Sequence, residues 1–360
     1  MIEIVERLAV EYAASRVIYG ELAESIVRVV KDLAKDGSVD LFHTESRAKD
    51  IESFKRKLER PEKAGKYKKL KDVTDLCGVR FVVLYQKDVD AICKIIEDNF
   101  IIDRANSIDK NSASDPDKFG YLSVHLIVSH IENRVRLPDF RKYEGMKAEI
   151  QVRTVLQHAW AVIDRQLRYK NDSDIPLPVK RKLYRVSALL EGADEDLSEV
   201  EKSVGNLRRS YAAGVSEGQL AVAINMESLD VYIQNSRDVE RIEQAARLAG
   251  IVVEVRDRYD PKDEIKYNRL LSLIKSAGIS NIDELNNVLN NLIEKPDYIL
   301  RKFLHNANNK PIKLSIYALI RVLLYFSSDK KVRSIAKRSG GYVGSTLKAI
   351  NATLGSIDIG

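Results

Sequence analysis

The chain has 360 residues, 59 Lys plus Arg against 53 Asp plus Glu, and a formal net charge of +6. That length allows about two domains at ~100–200 residues each, and 44% hydrophobic with 31% charged residues is a globular composition. Two cysteines, Cys77 and Cys93, exclude a disulfide scaffold and a four-thiolate metal site.

Residues 2–35 read as helical, with Leu22, Ile26, Val29 and Leu33 on one stripe and Gly37 as the stop. A short strand is expected near Val39–Thr44. Ile51 to Arg60 then reads as a basic helix ended by Pro61. Gly78–Tyr85 (GVRFVVLY) is a strong strand, rich in β-branched and aromatic residues. A helix follows at Val89–Asn99 and a strand at Phe100–Asp103. Residues 105–119 are rich in Ser, Asp, Asn and Pro and read as a loop. Ser123–His130 and Lys147–Arg153 are two more strands. Val155–Leu167 is a helix with Leu156, Trp160, Ile163 and Leu167 in register. This order predicts an α/β (α+β) domain with a mixed sheet flanked by helices.

From Leu183 through Val186, Leu190, Ala193, Leu197, Val200, Val204 and Leu207 to Tyr211 the apolar spacing alternates 3 and 4. That pattern fits a long helix laid along a domain, and equally a coiled-coil seam that permits a homo-oligomer. Gly214–Gln219 reads as a linker, placing the boundary near 212–218 between domains 1–212 and 216–360. Beyond it, Leu220–Ile224 and Ile251–Val255 could be strands, and residues 265–350 read as mostly helical, so the second domain is expected to be an α-helical accessory module.

The net charge is concentrated in two places. Residues Arg47–Lys71 carry +7 and Arg301–Gly340 carry +9, leaving the rest of the chain at −10. Two basic clusters on an otherwise acidic chain suggest two places that meet anions, nucleic acid included. No basic n-region precedes an apolar run at the N-terminus, and Leu314–Phe326 is too short and is interrupted by Arg321. A cytoplasmic protein with no membrane partner is therefore expected.

Several motifs fail. Gly214-Val-Ser216-Glu-Gly218 matches a nucleophile elbow but follows a charged helix instead of a buried strand. There is no Walker A or GxGxxG pattern, and the five histidines show no ligand spacing. His125 and His130 could share a metal only by accident of folding. Gly340-Gly341-Tyr342-Val-Gly344-Ser345 is better read as a helix stop than as a phosphate cradle.

Four segments carry chemistry when read together. In Arg47-Ala-Lys49-Asp-Ile-Glu-Ser53-Phe-Lys55-Arg56-Lys57, Arg47 and Lys49 share one side of an extended stretch, and Lys57 follows Ser53 by one helical turn. Cations and a hydroxyl at a helix start suit phosphate. Asp75 sits just before the strongest strand, close to Arg80, where one carboxylate can hold Mg²⁺ beside substrate phosphates. Alternation places Tyr121, Ser123 and His125 on one strand face, with the tyrosine ring able to stack on a base. Glu149, Gln151 and Arg153 share a face while Ile150 and Val152 take the core side; burying three such polar groups is costly without a ligand. Two carboxylates, cations and an aromatic fit nucleotide-dependent phosphoryl or pyrophosphoryl transfer.

The stretches RAKDIESFKRKL, DVTDLCGVRFVV, FGYLSVHLIV and KAEIQVRTVLQHAWAVIDRQLRYK, in that order over about residues 40–170, resemble the RelA/SpoT-type synthetases, the alarmone (ppGpp and pppGpp) synthetase family. The resemblance implies a nucleotidyltransferase-like fold that moves the β,γ-pyrophosphate of ATP to the 3′-hydroxyl of GDP or GTP. It implies that Arg47 and Arg80 sandwich the adenine, and that Lys49, Ser53 and Lys57 hold the ATP phosphates. Asp75 would bind Mg²⁺, and Glu149 would activate the 3′-hydroxyl and share the metal. Tyr121 would stack on the guanine, with His125, Gln151 and Arg153 supporting the acceptor.

Leu122, where the family often has a basic residue, and the longer, more acidic loop Asn106–Lys118 both depart from the pattern near the acceptor pocket. They leave a toxin-type relative that modifies the tRNA 3′ end as an alternative, with the C-terminal domain as a neutralising or sensor module. A third alternative is a catalytically dead regulatory or RNA-binding protein, against which Asp75, Glu149 and Tyr121 speak. No His-Asp pair of the family's hydrolase domain is found, and too few residues precede Arg47 to hold that domain, so degradation is not expected.

Overall fold

The computed structural model describes residues 2–37, 39–61, 66–108, 123–168, 176–254, 261–293, 296–306, 312–327, 329–338 and 350–353. The chain divides into two compact units, Met1–Glu201 and Lys202–Gly360.

The first unit opens with helix α1 (Ile2–Asp36). Its buried face runs through Leu8, Tyr12, Tyr19, Leu22, Ile26, Val30 and Ala34. Val29 and Leu33 are half-buried beside the fully buried Val30 and Ala34, and Val29 packs against the same core.

Strand β1 (His43–Ala48) is followed by α2 (Ile51–Glu59), whose N-cap Asp50 accepts from the Ser53 amide. β2 (Cys77–Val83), α3 (Gln86–Asn99) and β3 (Phe100–Ile102) come next. Then follow β4 (Val124–His130), the short helix α4 (Glu132–Val135), β5 (Ala148–Thr154) and α5 (Val155–Arg168). The first strand lies later than expected. Its six residues, HTESRA, lack the apolar alternation that marks a strand, and pairing with β2 fixes it instead.

The sheet order is β1-β2-β5-β4-β3. β2 and β5 pair in parallel, and the other neighbours are antiparallel. Val79, Phe81, Val124, Leu126, Ile150 and Val152 turn to one face and pack with α1, with Phe54 and Leu58 of α2, and with Val89, Ile92 and Ile96 of α3. Burial of each such side chain stabilises by about 1.5–3 kcal/mol. The opposite face is left polar.

Helix α6 (Leu177–Ser216) is continuous, so Gly214–Ser216 are helical and not linker. Leu183 and Leu190 pack with Leu156 and Trp160 of α5, while Leu197, Val200, Val204 and Leu207 of the same seam are exposed. Ile163 and Leu167 of α5 are also exposed. The Ser216 hydroxyl donates to the Ala212 carbonyl (3.0 Å) at a helix end, which excludes the nucleophile-elbow geometry.

The second unit is mostly helical: α7 (Met226–Asn235), α8 (Arg237–Leu248), α9 (Pro261–Ser276), α10 (Ile282–Ile293), α11 (Pro296–Asn306), α12 (Ile316–Leu324) and α13 (Lys330–Arg338). A parallel pair, β6 (Val252–Glu254) with β7 (Lys313–Ser315), joins them. β6 meets the expected strand at 251–255, whereas β7 is three residues long, too short for a period to register. Leu220–Ile224 is not a strand; it makes one isolated bridge, Ala223 to Asn281. α12 is buried from Tyr317 to Leu324, Arg321 included, which explains its apolar sequence without a membrane. Among the described residues no helix is long and apolar enough to cross one. Gly340–Ser345 lies outside the described residues.

Candidate active site

The polar face is built by the strand period. Arg80 on β2, Glu149 and Gln151 on β5, and His125 on β4 are each half-buried between fully buried neighbours. Register places Gly78 opposite Glu149, Arg80 opposite Gln151, and His125 opposite Gln151. Cross-strand neighbours lie close enough for side chains to meet.

Asp75, in the turn before β2, accepts from two lysines at once: Lys49 Nζ at 2.8 Å and Lys57 Nζ at 2.6 Å. All three side chains are at most 20% exposed. Burial pushes the Asp75 carboxyl up, but the hydrogen bonds and charges of Lys49 and Lys57 outweigh it and hold it below the ordinary range. Lys57 projects from α2 one turn after Ser53, and its ammonium lies 5.5 Å from the Tyr67 ring centroid. Lys49 is fixed through its backbone. Its N–H donates to the Leu76 carbonyl (2.8 Å), and its carbonyl accepts from Tyr12 Oη (2.6 Å) and Arg16 Nε (3.2 Å). Burial raises the Tyr12 phenol to about 12, so it remains a donor.

Glu149 accepts from His125 Nδ1 at 3.1 Å, and the other ring nitrogen of His125 lies 2.9 Å from Ser123 Oγ. Burial pushes Glu149 up, yet the hydrogen bond and charge of His125 win and hold it below its ordinary value. The Asp75 charge acts against that shift. Both carboxylates are therefore ionised at neutral pH.

Arg80 donates to Gln151 Oε1 (3.3 Å) and pairs with Glu45, the residue opposite it on β1. Arg153 also donates to Gln151 Oε1. Burial, then the Arg80 and Arg165 charges, push Arg153 down to about 10. Between these groups lies a pocket of about 270 Å³, lined by Glu45, Ser46, Arg47, Gly78, Val79, Arg80, Glu149 and Gln151. The Arg47 side chain crosses Gly78, with Cγ and Nε each 3.7 Å from where a Cβ there would sit.

The structure thus brings Arg47, Arg80, Glu149 and Gln151 to one pocket. Lys49 and Lys57 sit on Asp75, His125 on Glu149, and Arg153 on Gln151. Ser53 lies in the first turn of α2, its hydroxyl accepting from Arg56 (3.1 Å). Tyr121, Leu122 and most of the 106–118 loop fall outside the described residues. His125 and His130 turn to opposite faces, so they cannot share a metal; His130 is buried against Phe100, Phe140 and Tyr143.

Sequence reasoning missed Tyr12 and Glu45 as supports, since their partners are 37 and 35 residues away. Among the described residues no three His, Cys, Asp or Glu side chains cluster as a metal cage. Two ionised oxygen donors do fit Mg²⁺, which takes one or two carboxylates and completes its shell with substrate phosphates and water.

A polar sheet face with an ionised carboxylate and three arginines, together with two lysines on a second carboxylate in the turn before β2, has the donor set of a phosphate-handling site. Residues 46–174 match the family described as a region found in RelA / SpoT proteins. GTP pyrophosphokinase YwaC of Bacillus subtilis is 28% identical over 172 residues, covering 47% of this chain and 77% of that protein. GTP pyrophosphokinase YjbM of the same organism is 26% identical over 189 residues, 52% of this chain and 83% of the other. The crystal structure of small alarmone synthetase 2 from Bacillus subtilis aligns at 23% identity over 54% of this chain and 99% of its own, with a TM-score of 0.45.

Proposed function

We propose that the chain is an alarmone synthetase that transfers the β,γ-pyrophosphate of ATP to the 3′-hydroxyl of GDP or GTP, releasing AMP. The observation that carries this reading is the Lys49–Asp75–Lys57 cluster beside ionised Glu149. The names of the two relatives, both GTP pyrophosphokinases, support the guanine acceptor.

In this reading Lys49, Lys57 and the start of α2 take the triphosphate, trading the carboxylate of Asp75 for phosphate oxygens. Arg47 and Arg80 flank the pocket with planar guanidinium groups that stack on adenine. The Glu149 carboxylate accepts the proton of the 3′-hydroxyl. That oxygen forms a bond to the β-phosphorus as the bond from the β-phosphorus to the α,β-bridging oxygen breaks. The electron pair leaves with AMP. Mg²⁺ held through Asp75 and Glu149 would supply Lewis-acid charge at the phosphate oxygens. Arg153 and Gln151 brace Arg80 and the acceptor side. A reaction that consumes ATP and a guanine nucleotide fits a cytoplasmic site of action.

The test is incubation of the full chain with ATP, Mg²⁺ and either GDP or GTP. The expected products are AMP and a 3′-pyrophosphorylated guanine nucleotide. No product from either acceptor overturns the reading.

A further inference from the structure

Glu45 has no role in the chemistry above, yet it holds one edge of an arginine that borders the pocket. Register sets Glu45 of β1, Arg80 of β2 and Gln151 of β5 on one rung across three strands. All three residues line the pocket, together with Arg47.

A guanidinium carries five N–H donors, all in its plane. Arg80 Nε and Nη2 both donate to the single Oε1 of Gln151, each at 3.3 Å. Arg153 donates to the same oxygen. One neutral acceptor atom, distant and shared, is a pivot. It tethers one edge of the guanidinium and leaves the plane free to turn about it. Nη1, at the other edge, donates to Glu45 Oε2. That bond joins two charges and is the stronger kind. Two anchors on opposite edges fix the plane. Because the N–H groups lie in that plane, both anchors leave its faces to stack on a ring.

The other arginine of the pocket is built differently. Arg47 runs across Gly78, and among the described residues its guanidinium has no hydrogen-bond or ion-pair partner. The arginine set in place before a ligand arrives is therefore Arg80.

We propose that Glu45 is a positioning residue for donor-nucleotide binding: by anchoring Nη1 it holds the Arg80 guanidinium as a fixed stacking platform for the adenine ring. The inference rests on the reading of ATP as donor and deepens it. A platform ordered beforehand costs less to bind to, so the consequence lies in affinity for a donor that carries a base. The Glu45 side chain is 44% exposed, and such a pair adds little to the stability of the fold. Its loss is therefore read in binding and not in unfolding.

The experiment is titration calorimetry of the full chain with Mg²⁺ and two probes. One is a non-hydrolysable ATP analogue and the other is inorganic tripolyphosphate, which has no base. The unmodified chain should bind the analogue more tightly than tripolyphosphate. Glu45→Ala should weaken the analogue about 3- to 10-fold, the weight of one hydrogen bond, with tripolyphosphate affinity undiminished. Glu45→Gln, which keeps an acceptor oxygen at the same reach, should lose less. Arg80→Met should weaken the analogue by itself. Adding Glu45→Ala to it should cost nothing more, because a residue that acts through Arg80 then has nothing to hold. The urea midpoint of Glu45→Ala should match that of the unmodified chain.

Equal weakening of both probes overturns the proposal, as does an analogue affinity indifferent to Glu45→Ala. A Glu45→Ala effect that keeps its full size in the Arg80→Met background overturns it too, and so does an unmodified chain that binds the analogue no better than tripolyphosphate. A chain that shows the expected binding pattern but makes no pyrophosphorylated nucleotide defeats the proposed reaction and leaves the role of Glu45 standing.

Discussion

Lys57 Nζ sits 2.6 Å from Asp75 Oδ1, while Lys49 takes the other oxygen of the same carboxylate at 2.8 Å. A carboxylate engaged by two ammonium groups is a poor ligand for a free cation. Both lysines would be drawn away by the phosphates of an incoming nucleotide, which are themselves metal ligands. In the proposed reaction this arrangement would couple metal entry to nucleotide entry.

The first prediction concerns that coupling. Mn²⁺, followed by electron paramagnetic resonance as a stand-in for Mg²⁺, should bind weakly to the nucleotide-free chain and tightly once a non-hydrolysable ATP analogue is present. Lys57→Met should raise nucleotide-free metal affinity and lower affinity for the analogue. Tight Mn²⁺ binding without nucleotide would contradict the coupling.

Removing the carboxylates separates their roles. Glu149→Gln should lower kcat by about 10²–10⁴ with nucleotide KM values little changed, since it removes proton transfer. Asp75→Asn should lose turnover together with metal dependence. Activity indifferent to both changes would show that neither carboxylate takes part in the transfer.

Tyr12 ties α1 to the loop that carries Lys49 through a 2.6 Å hydrogen bond to its carbonyl. Tyr12→Phe deletes only that hydroxyl. The expected cost is about 1 kcal/mol in urea unfolding, with a higher KM for ATP and an unchanged KM for the acceptor. Equal effects on both substrates would show that the bond does not act through Lys49.

His130 gives a pH signature remote from the site. Burial, reinforced by the Arg134 charge, pushes its imidazole down to about 4. An unfolded histidine titrates near ~6.5. A depressed folded value means the stabilising contribution is complete above pH ~6.5 and is lost as pH falls toward 4. The loss should reach on the order of 2–3 kcal/mol across that window. In His130→Phe, the pH dependence of unfolding between 6.5 and 4 should flatten. An unchanged slope would place the acid sensitivity elsewhere.

What could be read from the sequence followed periodicity. Glu149, Gln151 and Arg153 were separable from Ile150 and Val152 because a strand alternates, and β2, β4 and β5 stand close to where their apolar and β-branched runs put them. The charged strand β1 was misplaced because its position depends on pairing with β2, a contact no local pattern records. The same limit hid Tyr12 and Glu45, which act through residues far along the chain. It also hid the meeting of Lys49, Lys57 and Asp75. That meeting depends on the turn before β2 lying over α2. The even spacing of the α6 seam was visible, but not that Leu183 and Leu190 are covered while Leu197 to Leu207 are exposed, since only the tertiary packing distinguishes them.

The most direct measurement of the central claim is product analysis with radiolabelled ATP and GDP, GTP and tRNA offered side by side. Label from the γ-phosphate should appear on GDP or GTP as a 3′-pyrophosphate, with AMP formed in equal amount and Glu149→Gln inactive. Label transferred to tRNA alone, or to no acceptor at all, would contradict the account.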